Sequence, residues 1–505
     1  STALGIAAAG SSIGVSRASR AGAVVSSGML LGLSFPPFPF PVLSWVALVP
    51  LIFLWDRHDS ARAVYLDSFA ALIVMFAVAF QWPLFHLLPR TAAISAPFLL
   101  LLPLWMAAPF GLAHAVRVRL GRAAGLTAMV ALYLVMELAM RRGPFAFPWT
   151  LLGHTQAELF PVNRLASLGG VPALTLLILL TNIAVFMALK RRFVMAGSVG
   201  ALLLATFAIP RNAQTQGELD VALIQPGIPA SAWSNSSDGS RARHLIELSQ
   251  AAAANSDFVI WPETALPHGA DFRAVREWVD SIGTPLLSGA VLLEGNRYRN
   301  SAVLVAPEGD DAVYHKVRLV PFAEHVPFSE HVSWLERLSV PAGGVRGYLP
   351  GDSLRLFDLD RSRFGVMICF ESLFDDVARS YRERGAKFLV TITQDGWWGD
   401  SFGYRQHLAF NRLRAIETGL PLLQVAVSGS TALILPDGHI AAKSGWMERG
   451  AWIVSVGAGG TSTPFVRYGD VLSLAALSLV VLCSAVLASV GVARRFERNP
   501  NRLAA

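Results

Sequence analysis

Eight runs of mainly apolar residues divide this chain of 505 residues into a membrane-like part and one long polar block. A helix of about 20 predominantly apolar residues can cross the hydrocarbon core of a bilayer. Hydrophobic residues make up 53% of the chain and charged residues only 15%, whereas a soluble protein of this length carries more charge. We therefore predict an integral membrane protein. Its eight candidate spans lie near residues 21–35, 42–56, 64–88, 96–117, 122–140, 168–190, 193–209 and 468–492.

Basic residues are distributed unevenly between these spans, and their distribution predicts the orientation of the chain. If there are eight spans, most of the basic loops lie on one side, with few basic residues on the other. The crowded side contains Arg17, Arg20, Arg57, Arg62, Arg117, Arg119, Arg122, Lys190, Arg191, Arg192, Arg494, Arg495, Arg498 and Arg502. By the positive-inside rule, both termini are predicted to be cytoplasmic and the polar block to face the periplasm or its equivalent.

A further apolar stretch, P-F-A-F-P-W-T-L-L-G from Pro144 to Gly153, is interrupted by prolines. We predict that it forms a re-entrant or interfacial segment rather than a full span. The net charge of +7 does not indicate a nucleic-acid-binding protein, because the basic residues lie in short loops and no binding motif appears. No nucleic-acid partner is expected.

The polar block, roughly residues 216–458, alternates short β-branched runs with polar stretches of helical periodicity. Eight runs are predicted to be strands: L-D-V-A-L-I-Q-P-G, D-F-V-I-W-P, P-L-L-S-G-A-V-L-L, N-S-A-V-L-V-A-P, R-F-G-V-M-I-C-F, K-F-L-V-T-I-T-Q, L-P-L-L-Q-V-A-V and T-A-L-I-L-P. Two stretches, R-H-L-I-E-L-S-Q-A-A-A-A and R-Q-H-L-A-F-N-R-L-R-A-I-E-T, are predicted to be amphipathic helices. This pattern is typical of an α/β domain with a mostly buried sheet.

Three residues with complementary chemistry follow apolar, strand-like runs in this block. They are Glu263 in F-V-I-W-P-E-T-A, Lys316 in V-Y-H-K-V-R-L-V-P-F and Cys369 in F-G-V-M-I-C-F-E-S. A carboxylate can take the proton of a thiol, and a lysine can stabilise the oxyanion that the resulting thiolate forms. Two alternatives stay open on the residues alone: a structural Glu–Lys ion pair and a buried core thiol. Cys483 lies in an apolar run, so a disulfide with Cys369 is not expected.

The motifs W-P-E-T, H-K-V-R-L-V-P-F-A-E-H-V-P and I-C-F-E-S resemble the three catalytic motifs of the nitrilase superfamily. With spans on both sides, nearly the whole chain resembles the apolipoprotein N-acyltransferase family. The resemblance implies an α-β-β-α sandwich inserted in an eight-helix transmembrane bundle. It predicts a bundle of about seven helices at 1–210, a nitrilase-like catalytic domain at 216–458, a final helix at 468–492 and a cytoplasmic basic tail at 493–505.

The resemblance also assigns roles to particular residues. Glu263, Lys316 and Cys369 are expected to be the catalytic triad. Support is expected from a second glutamate, from the backbone amide after the nucleophile and from the carboxylate that follows it, which are Glu324, Phe370 and Glu371. Trp233 and Trp397 match aromatic positions expected to line the substrate entrance, with ordinary packing as the alternative. For Glu371 the alternative is a solvated or capping carboxylate.

The activity that the resemblance implies is transfer of a fatty acyl chain from a phospholipid, expected to be phosphatidylethanolamine, to the N-terminal amine of a diacylated lipoprotein. It needs no cofactor and no metal, and a monomer in the bacterial inner membrane is expected. Three positions depart from the family pattern: Phe370, Gln394 and the stretch around Val427. The alternatives are therefore a membrane-tethered amidase or hydrolase, a paralogous acyltransferase acting on another amine, and a non-enzymatic transporter or scaffold.

Overall fold

The computed structural model describes residues 16–85, 89–212, 217–235, 238–268, 272–329, 331–338, 347–359 and 362–498. In the described residues of the N-terminal part, the regular secondary structure consists of α-helices and short 3-10 helices. Its helices are α1 (Arg17–Gly32), α2 (Val49–Trp55), α3 (Ala61–Ala79), α4 (Trp82–Phe85), α5 (Pro89–Leu120), α6 (Arg122–Met140), α7 (Ala166–Leu189) and α8 (Val194–Ala205).

Four helices among the described residues are long and apolar enough to cross a membrane: Ala61–Ala79, Leu99–Leu120, Arg122–Met140 and Val162–Leu189. Three further apolar helical stretches are shorter, at Pro41–Trp55, Val194–Ala208 and Val471–Val486. The first predicted span corresponds to α1, which has 16 residues. The prediction of apolar membrane helices is therefore confirmed, whereas the count of eight spans stays a prediction. The end of the third predicted span (86–88) and most of the predicted tail (499–505) fall outside the described residues.

The proline-interrupted segment after α6 does not form a spanning helix. It folds into 3-10 turns at Pro148–Thr150 and Leu152–Gln156, and their side chains are buried. Proline disfavours continuous helix because it lacks an N–H donor. The buried Glu137 carboxylate of α6 accepts the backbone N–H of Leu152 at 2.6 Å and so holds this irregular segment against the bundle.

The described residues of the polar block form twelve strands in two six-stranded sheets. The strands are β1 (Leu219–Gln225), β2 (Phe258–Ile260), β3 (Leu286–Glu294), β4 (Arg297–Val305), β5 (Ala312–His315), β6 (Leu356–Leu359), β7 (Ser362–Ile368), β8 (Phe388–Thr393), β9 (Leu422–Ala426), β10 (Ala432–Ile434), β11 (Ile440–Lys443) and β12 (Gly450–Val456). One sheet has the order β12-β1-β2-β3-β4-β5 and the other β11-β10-β9-β8-β7-β6. At the centre of each sheet three strands run parallel, β1-β2-β3 and β7-β8-β9.

The two sheets pack face to face, and helices cover their outer faces. The helices of this part are α9 (Ala230–Asn235), α10 (Asp238–Ala253), α11 (Phe272–Ile282), α12 (Asp375–Glu383) and α13 (Phe402–Thr418), followed by α14 (Pro464–Tyr468) and α15 (Val471–Arg498). One apolar core lies between the sheets and a second lies under α10 and α11. This is the predicted α-β-β-α sandwich. All eight predicted strands and both predicted helices form, while β5, β6, β11 and β12 were not among the predicted strands because their runs are short or broken by polar residues.

A third apolar core runs without a break from the membrane helices into the face of the second sheet that carries α12 and α13. A buried charge cluster joins the same two parts. Arg141, at the end of α6 and 1% exposed, donates to the Asp375 carboxylate of α12 at 2.7 Å and also pairs with Asp470 before α15. The polar domain is therefore attached to one end of the bundle through contacts that exclude water.

Basic side chains meet at the opposite end of the bundle. Arg117, Arg122 and Lys190 each pair with Asp56, which follows α2. Because α6 begins at Arg122 and reaches the polar domain at Arg141, its length separates the Asp56 cluster from that domain. These three basic residues, which the sequence assigned to one side, thus lie together in the structure, away from the sandwich.

Replacing Arg141 should destabilise the junction far more than replacing its neighbour. Arg141→Met leaves the buried Asp375 and Asp470 carboxylates without their cation, and such a loss costs about 3–5 kcal/mol. Arg142→Met removes an ion pair to Asp376 from a side chain that is 45% exposed, so its cost is below about 1 kcal/mol. Thermal unfolding of the two detergent-solubilised variants tests this difference. Equal losses of stability would contradict it.

Candidate active site

Glu263 lies in the turn that follows β2, at the carboxyl end of a central parallel strand. The residues before it, Phe258–Ile260, are fully buried, and the W-P-E-T turn then leaves the sheet. The turn passes so close to β3 that a Cβ on Gly289 would lie 2.6 Å from the Cα of Glu263. Only glycine permits this approach. The glutamate side chain is 5% exposed.

Lys316 directly follows β5 and is 1% exposed. Its ammonium lies 2.8 Å from the Glu324 carboxylate and 3.5 Å from that of Glu263. The amide of Asn300, on β4, donates to both carboxylates, at 2.8 Å to Glu263 and 3.0 Å to Glu324. Backbone N–H groups complete the cluster, that of Gln394 donating to Glu263 at 2.8 Å and that of Val320 to Glu324 at 2.8 Å.

Cys369 follows β7, which runs parallel to β8 at the centre of the second sheet. It opens a 3-10 turn, Cys369–Leu373, that leads into α12. Its φ is +52°, a left-handed conformation that non-glycine residues adopt rarely and that tends to occur at functional sites. The residue is 8% exposed. The sharp turn places the thiol at the carboxyl ends of the strands, where Glu263 also lies.

Burial and charge together determine the protonation of the three candidate catalytic groups. Burial raises the pKa of the Cys369 thiol well above its usual range, the Glu263 carboxylate raises it further, and the Lys316 ammonium opposes both. Burial also raises the pKa of Glu263, with Lys316 opposing, whereas the two carboxylates raise the pKa of Lys316 despite its burial. These effects favour the protonated form of the thiol, so a base is required if Cys369 is to act as a nucleophile.

Glu371 is fully buried, which excludes a solvated carboxylate at this position. One of its oxygens accepts from the Tyr314 hydroxyl at 2.8 Å and from the backbone N–H groups of Val317 and Arg318 at 2.6 and 3.0 Å. The other accepts the N–H of Ile368 at 2.8 Å. Burial raises the pKa of Glu371 to about 7. This carboxylate connects the segment after Lys316 to the residue before the nucleophile.

The predicted entrance residues lie beside a cleft rather than at the thiol. Trp233 and Trp397 both line a cleft of about 540 Å³, open to solvent, whose wall includes Glu263 and Glu324. Trp233 is 1% exposed and donates from Nε1 to the Thr264 hydroxyl at 3.0 Å. Trp397 is half-buried. Both residues therefore border the approach to the buried cluster, and Trp233 also serves as a packing residue.

The ring of Phe370 does not point into this cleft. It is 3% exposed and contacts Phe147 of the irregular membrane segment, with ring centroids 5.7 Å apart, and Phe374 at 5.3 Å. The side chain thus packs toward the bundle. Only its backbone amide remains as a candidate for contact with a reacting group.

Sequence reasoning did not single out two polar side chains of the cleft. Asn300 donates hydrogen bonds to both glutamates, Glu263 and Glu324. The one feature of the sequence that could have indicated it is its position as a polar residue at the start of the apolar run N-S-A-V-L-V. Gln394 was noted only as a departure from a family pattern. Its Oε1 accepts the N–H of Gly396 at 3.2 Å, and its buried Nε2 has no partner within the described part of the chain. Among those same residues, no group of three or more His, Cys, Asp or Glu could hold a metal ion.

Two family models match the chain. Residues 27–184 match the apolipoprotein N-acyltransferase N-terminal domain, and residues 220–462 match carbon-nitrogen hydrolases. An apolipoprotein N-acyltransferase from Gloeobacter violaceus is 30% identical over 508 residues, covering 94% of this chain and 95% of that protein. This chain belongs to the apolipoprotein N-acyltransferase family. Its relative from Geobacter metallireducens is 29% identical, with 92% of this chain and 94% of that protein covered.

Among solved structures, an amidase of the nitrilase superfamily from Nesterenkonia has a TM-score of 0.37 and 16% sequence identity, covering 48% of this chain and 92% of that one. Family membership confirms the predictions of an acyltransferase, a nitrilase-like domain and a membrane protein. It also favours lipoprotein acylation over the hydrolase alternative. The roles of the individual site residues stay predictions.

The pH dependence of acylation should report the burial of Glu263. To act as a base, Glu263 must be ionised. Because its pKa is raised, it becomes protonated at a higher pH than an ordinary glutamate, and the loss of rate on acidification moves to higher pH. We expect the rate of acyl-enzyme formation to fall on acidification with a midpoint above 4.5, the ordinary glutamate value. Single-turnover rates across pH measure this midpoint. A midpoint at or below 4.5 would contradict the assignment, and Glu263→Gln serves as the inactive control.

Glu371→Gln should lower both stability and activity. The carboxylate oxygens now accept hydrogen bonds from four donors, and the amide nitrogen of glutamine, itself a donor, could not accept the bonds of the oxygen it replaces. Each buried donor left unpaired costs about 1–3 kcal/mol. Tyr314→Phe is the matched control, since it removes one of the four donors and leaves the carboxylate in place; it should cost about 1 kcal/mol. Thermal unfolding and acylation rate are the measurements. If Glu371→Gln behaves like Tyr314→Phe, the carboxylate does not connect the two segments as described.

Proposed function

We propose that this enzyme transfers a fatty acyl chain from a phospholipid, through a thioester on Cys369, to the N-terminal amine of a diacylglyceryl-cysteine lipoprotein. The observation that carries the proposal is the buried cluster in which Lys316 contacts Glu263 and Glu324 beside a cysteine, on a nitrilase-like domain that shares its core with membrane helices. The names of its relatives support the choice of acceptor.

In the first half-reaction, the proposed base Glu263 takes the thiol proton as sulfur attacks the ester carbonyl carbon of the phospholipid. A carbon–sulfur bond forms, and the carbonyl electron pair moves onto oxygen. Lys316 and the Phe370 amide stabilise that oxyanion. Its collapse breaks the ester carbon–oxygen bond, and Glu263 returns the proton to the departing lysophospholipid. We take phosphatidylethanolamine as the donor.

In the second half-reaction, the free α-amine of the diacylated cysteine attacks the thioester carbonyl. Glu263 takes the proton of the attacking amine, and the same two groups hold the second oxyanion. Carbon–sulfur cleavage then releases the thiolate, which regains its proton from Glu263. The product is an amide, and the cysteine is ready for another donor.

Water competes with the amine for the thioester, so the site must exclude it. Trp398 supports such exclusion because it packs on two bundle residues, Trp82 at 5.6 Å and Trp149 at 5.0 Å between ring centroids. Its neighbour Trp397 borders the cleft. We propose that this tryptophan loop limits the access of water while lipids approach along the bundle.

We further propose that the protein is a monomer in the bacterial inner membrane with the sandwich facing the periplasm. The support is electrostatic: the Asp56 cluster with Arg117, Arg122 and Lys190 lies at the far end of α6 from the sandwich. Basic loops favour the cytoplasmic side. On this topology both termini are cytoplasmic, and the acyl donor comes from the outer leaflet.

Intact mass spectrometry of the full chain in detergent with phosphatidylethanolamine tests the proposal. We expect a mass gain of one fatty acyl chain that hydroxylamine removes. Cys369→Ala should abolish the adduct. Cys483→Ala is the matched control, because that cysteine is exposed on α15 and should not affect acylation.

Adding a diacylated lipopeptide should then clear the adduct and yield the N-acylated peptide. Clearance by water alone, with free fatty acid as product, would identify a hydrolase. Clearance by another amine but not by the lipopeptide would identify a paralogous acyltransferase. An unmodified enzyme with no lysophospholipid would reject the phospholipid as donor.

A further inference from the structure

A buried histidine on α13 contacts the peptide unit of the candidate nucleophile. His407 is fully buried, and its Nε2 lies 3.2 Å from the backbone carbonyl oxygen of Cys369 and 2.8 Å from the Ser372 hydroxyl. On the other side of the ring, Nδ1 lies 2.9 Å from the carboxylate of Asp395, which is also fully buried. The mechanism above uses neither the histidine nor the aspartate.

The surroundings determine where this imidazole carries protons. An ionised carboxylate only accepts hydrogen bonds, so Nδ1 must donate to Asp395. The carbonyl of Cys369 also only accepts, so Nε2 bonds it only when it carries a proton, whereas the Ser372 hydroxyl at 2.8 Å can either donate or accept. A proton on both ring nitrogens, which the proposal below requires, would also balance the charge of the Asp395 carboxylate. The indole of Trp149 stacks beside the imidazole, with ring centroids 6.1 Å apart and planes inclined by 28°.

We propose that the Asp395–His407 pair is a positioning element of the acyl transfer, in which His407 donates to the Cys369 carbonyl and strengthens the N–H of Phe370 as an oxyanion donor. That carbonyl and that N–H belong to the same peptide unit. A hydrogen bond to the oxygen draws electron density from the nitrogen, and hydrogen bonds in such a chain reinforce one another. The inference rests on the proposed function, because it assumes a tetrahedral oxyanion at Cys369.

The same contact holds the backbone of the nucleophile. The left-handed conformation of Cys369, with φ of +52°, persists only if neighbouring groups fix it. Glu371 holds the N–H of Ile368 on one side, and His407 holds the carbonyl of Cys369 on the other. The amide that points toward the oxyanion is therefore oriented from both directions.

The residue before the histidine fixes α13 to the membrane bundle. The Gln406 side-chain oxygen accepts from the indole nitrogens of Trp82 and Trp149, at 3.2 and 2.9 Å. Its nitrogen donates to the carbonyls of Pro36 and Ala79, at 3.0 and 2.9 Å. All four contacts are buried. His407 is thus positioned relative to both the bundle and the nucleophile.

The test compares two reactions of the same thiol in the full-length His407→Gln enzyme. Acylation by p-nitrophenyl butyrate passes through an oxyanion, whereas alkylation by iodoacetamide displaces iodide and does not. We expect the single-turnover acylation rate to fall about 10–100-fold, less than the roughly 100–1,000-fold loss typical of removing an oxyanion donor outright, while alkylation stays close to the wild-type rate. His439→Gln, at an exposed position of the same domain, should leave both rates unchanged.

Asp395→Asn provides the second variant, because it keeps the side-chain volume and removes the charge that favours the imidazolium. It should lower acylation selectively, and the double variant should lose no more than the larger single loss, as expected for groups that act as a unit. Equal losses of acylation and alkylation would show that His407 only keeps the cysteine in place, and unchanged acylation would show that it plays no part. Either result overturns the proposal.

The failure of the proposed function gives a different result. A wild-type enzyme that accepts the p-nitrophenyl ester but takes no acyl chain from phosphatidylethanolamine would refute the proposed donor. The comparison of acylation with alkylation in His407→Gln would still decide the role of the histidine, because it does not depend on which lipid the enzyme uses.

Discussion

The ammonium of Lys316 lies in a site almost closed to solvent and contacts the carboxylates of Glu263 and Glu324. A buried cation is costly unless it is paired, and here one cation faces two anions. Burial raises the pKa of Glu263, Lys316 opposes this effect, and the Glu324 carboxylate adds to it, so that Glu263 is better suited to accept a proton. The Glu263 carboxylate also accepts hydrogen bonds from the Asn300 amide and from the backbone N–H of Gln394. These bonds connect one strand of each sheet to the charged cluster.

The sandwich and the membrane bundle also stabilise each other. Their apolar core is continuous, and the polar groups that cross it are paired, as in Arg141 with Asp375 and Gln406 with Trp82 and Trp149. The segment that carries Phe147 and Trp149 lies under the nucleophile turn, so the membrane part contributes directly to the surroundings of the site. A nitrilase-like domain in this setting is not an independent unit attached to an anchor.

Much of the fold was predictable because the hydrophobic pattern of a single strand or helix is visible in its own sequence. The runs around β1, β7 and β8 are short, β-branched and bounded by polar residues, and each forms the predicted strand. The strands β6 and β11 were not predicted, because each is only four residues long and lies at a sheet edge, where few of its residues are apolar. Glu371 was expected to support the site, with a solvated or capping carboxylate as the alternative. It does cap the 3-10 turn through the N–H of Ile368, and its burial and its partners on distant segments also give it a connecting role.

The sequence by itself determined the membrane class and an α/β domain with a mostly buried sheet, because apolar runs and their periodicity are local properties. The sandwich and the roles predicted for the three motifs came from the resemblance to a family. The tertiary structure decided which of those groups share a site and which polar residues complete it. Asn300 lies 24 residues from Glu324, and His407 lies 38 residues from Cys369. Such pairs form only when separate segments of a sheet and the helices on it pack together, since their contacts depend on long-range burial that no local pattern records.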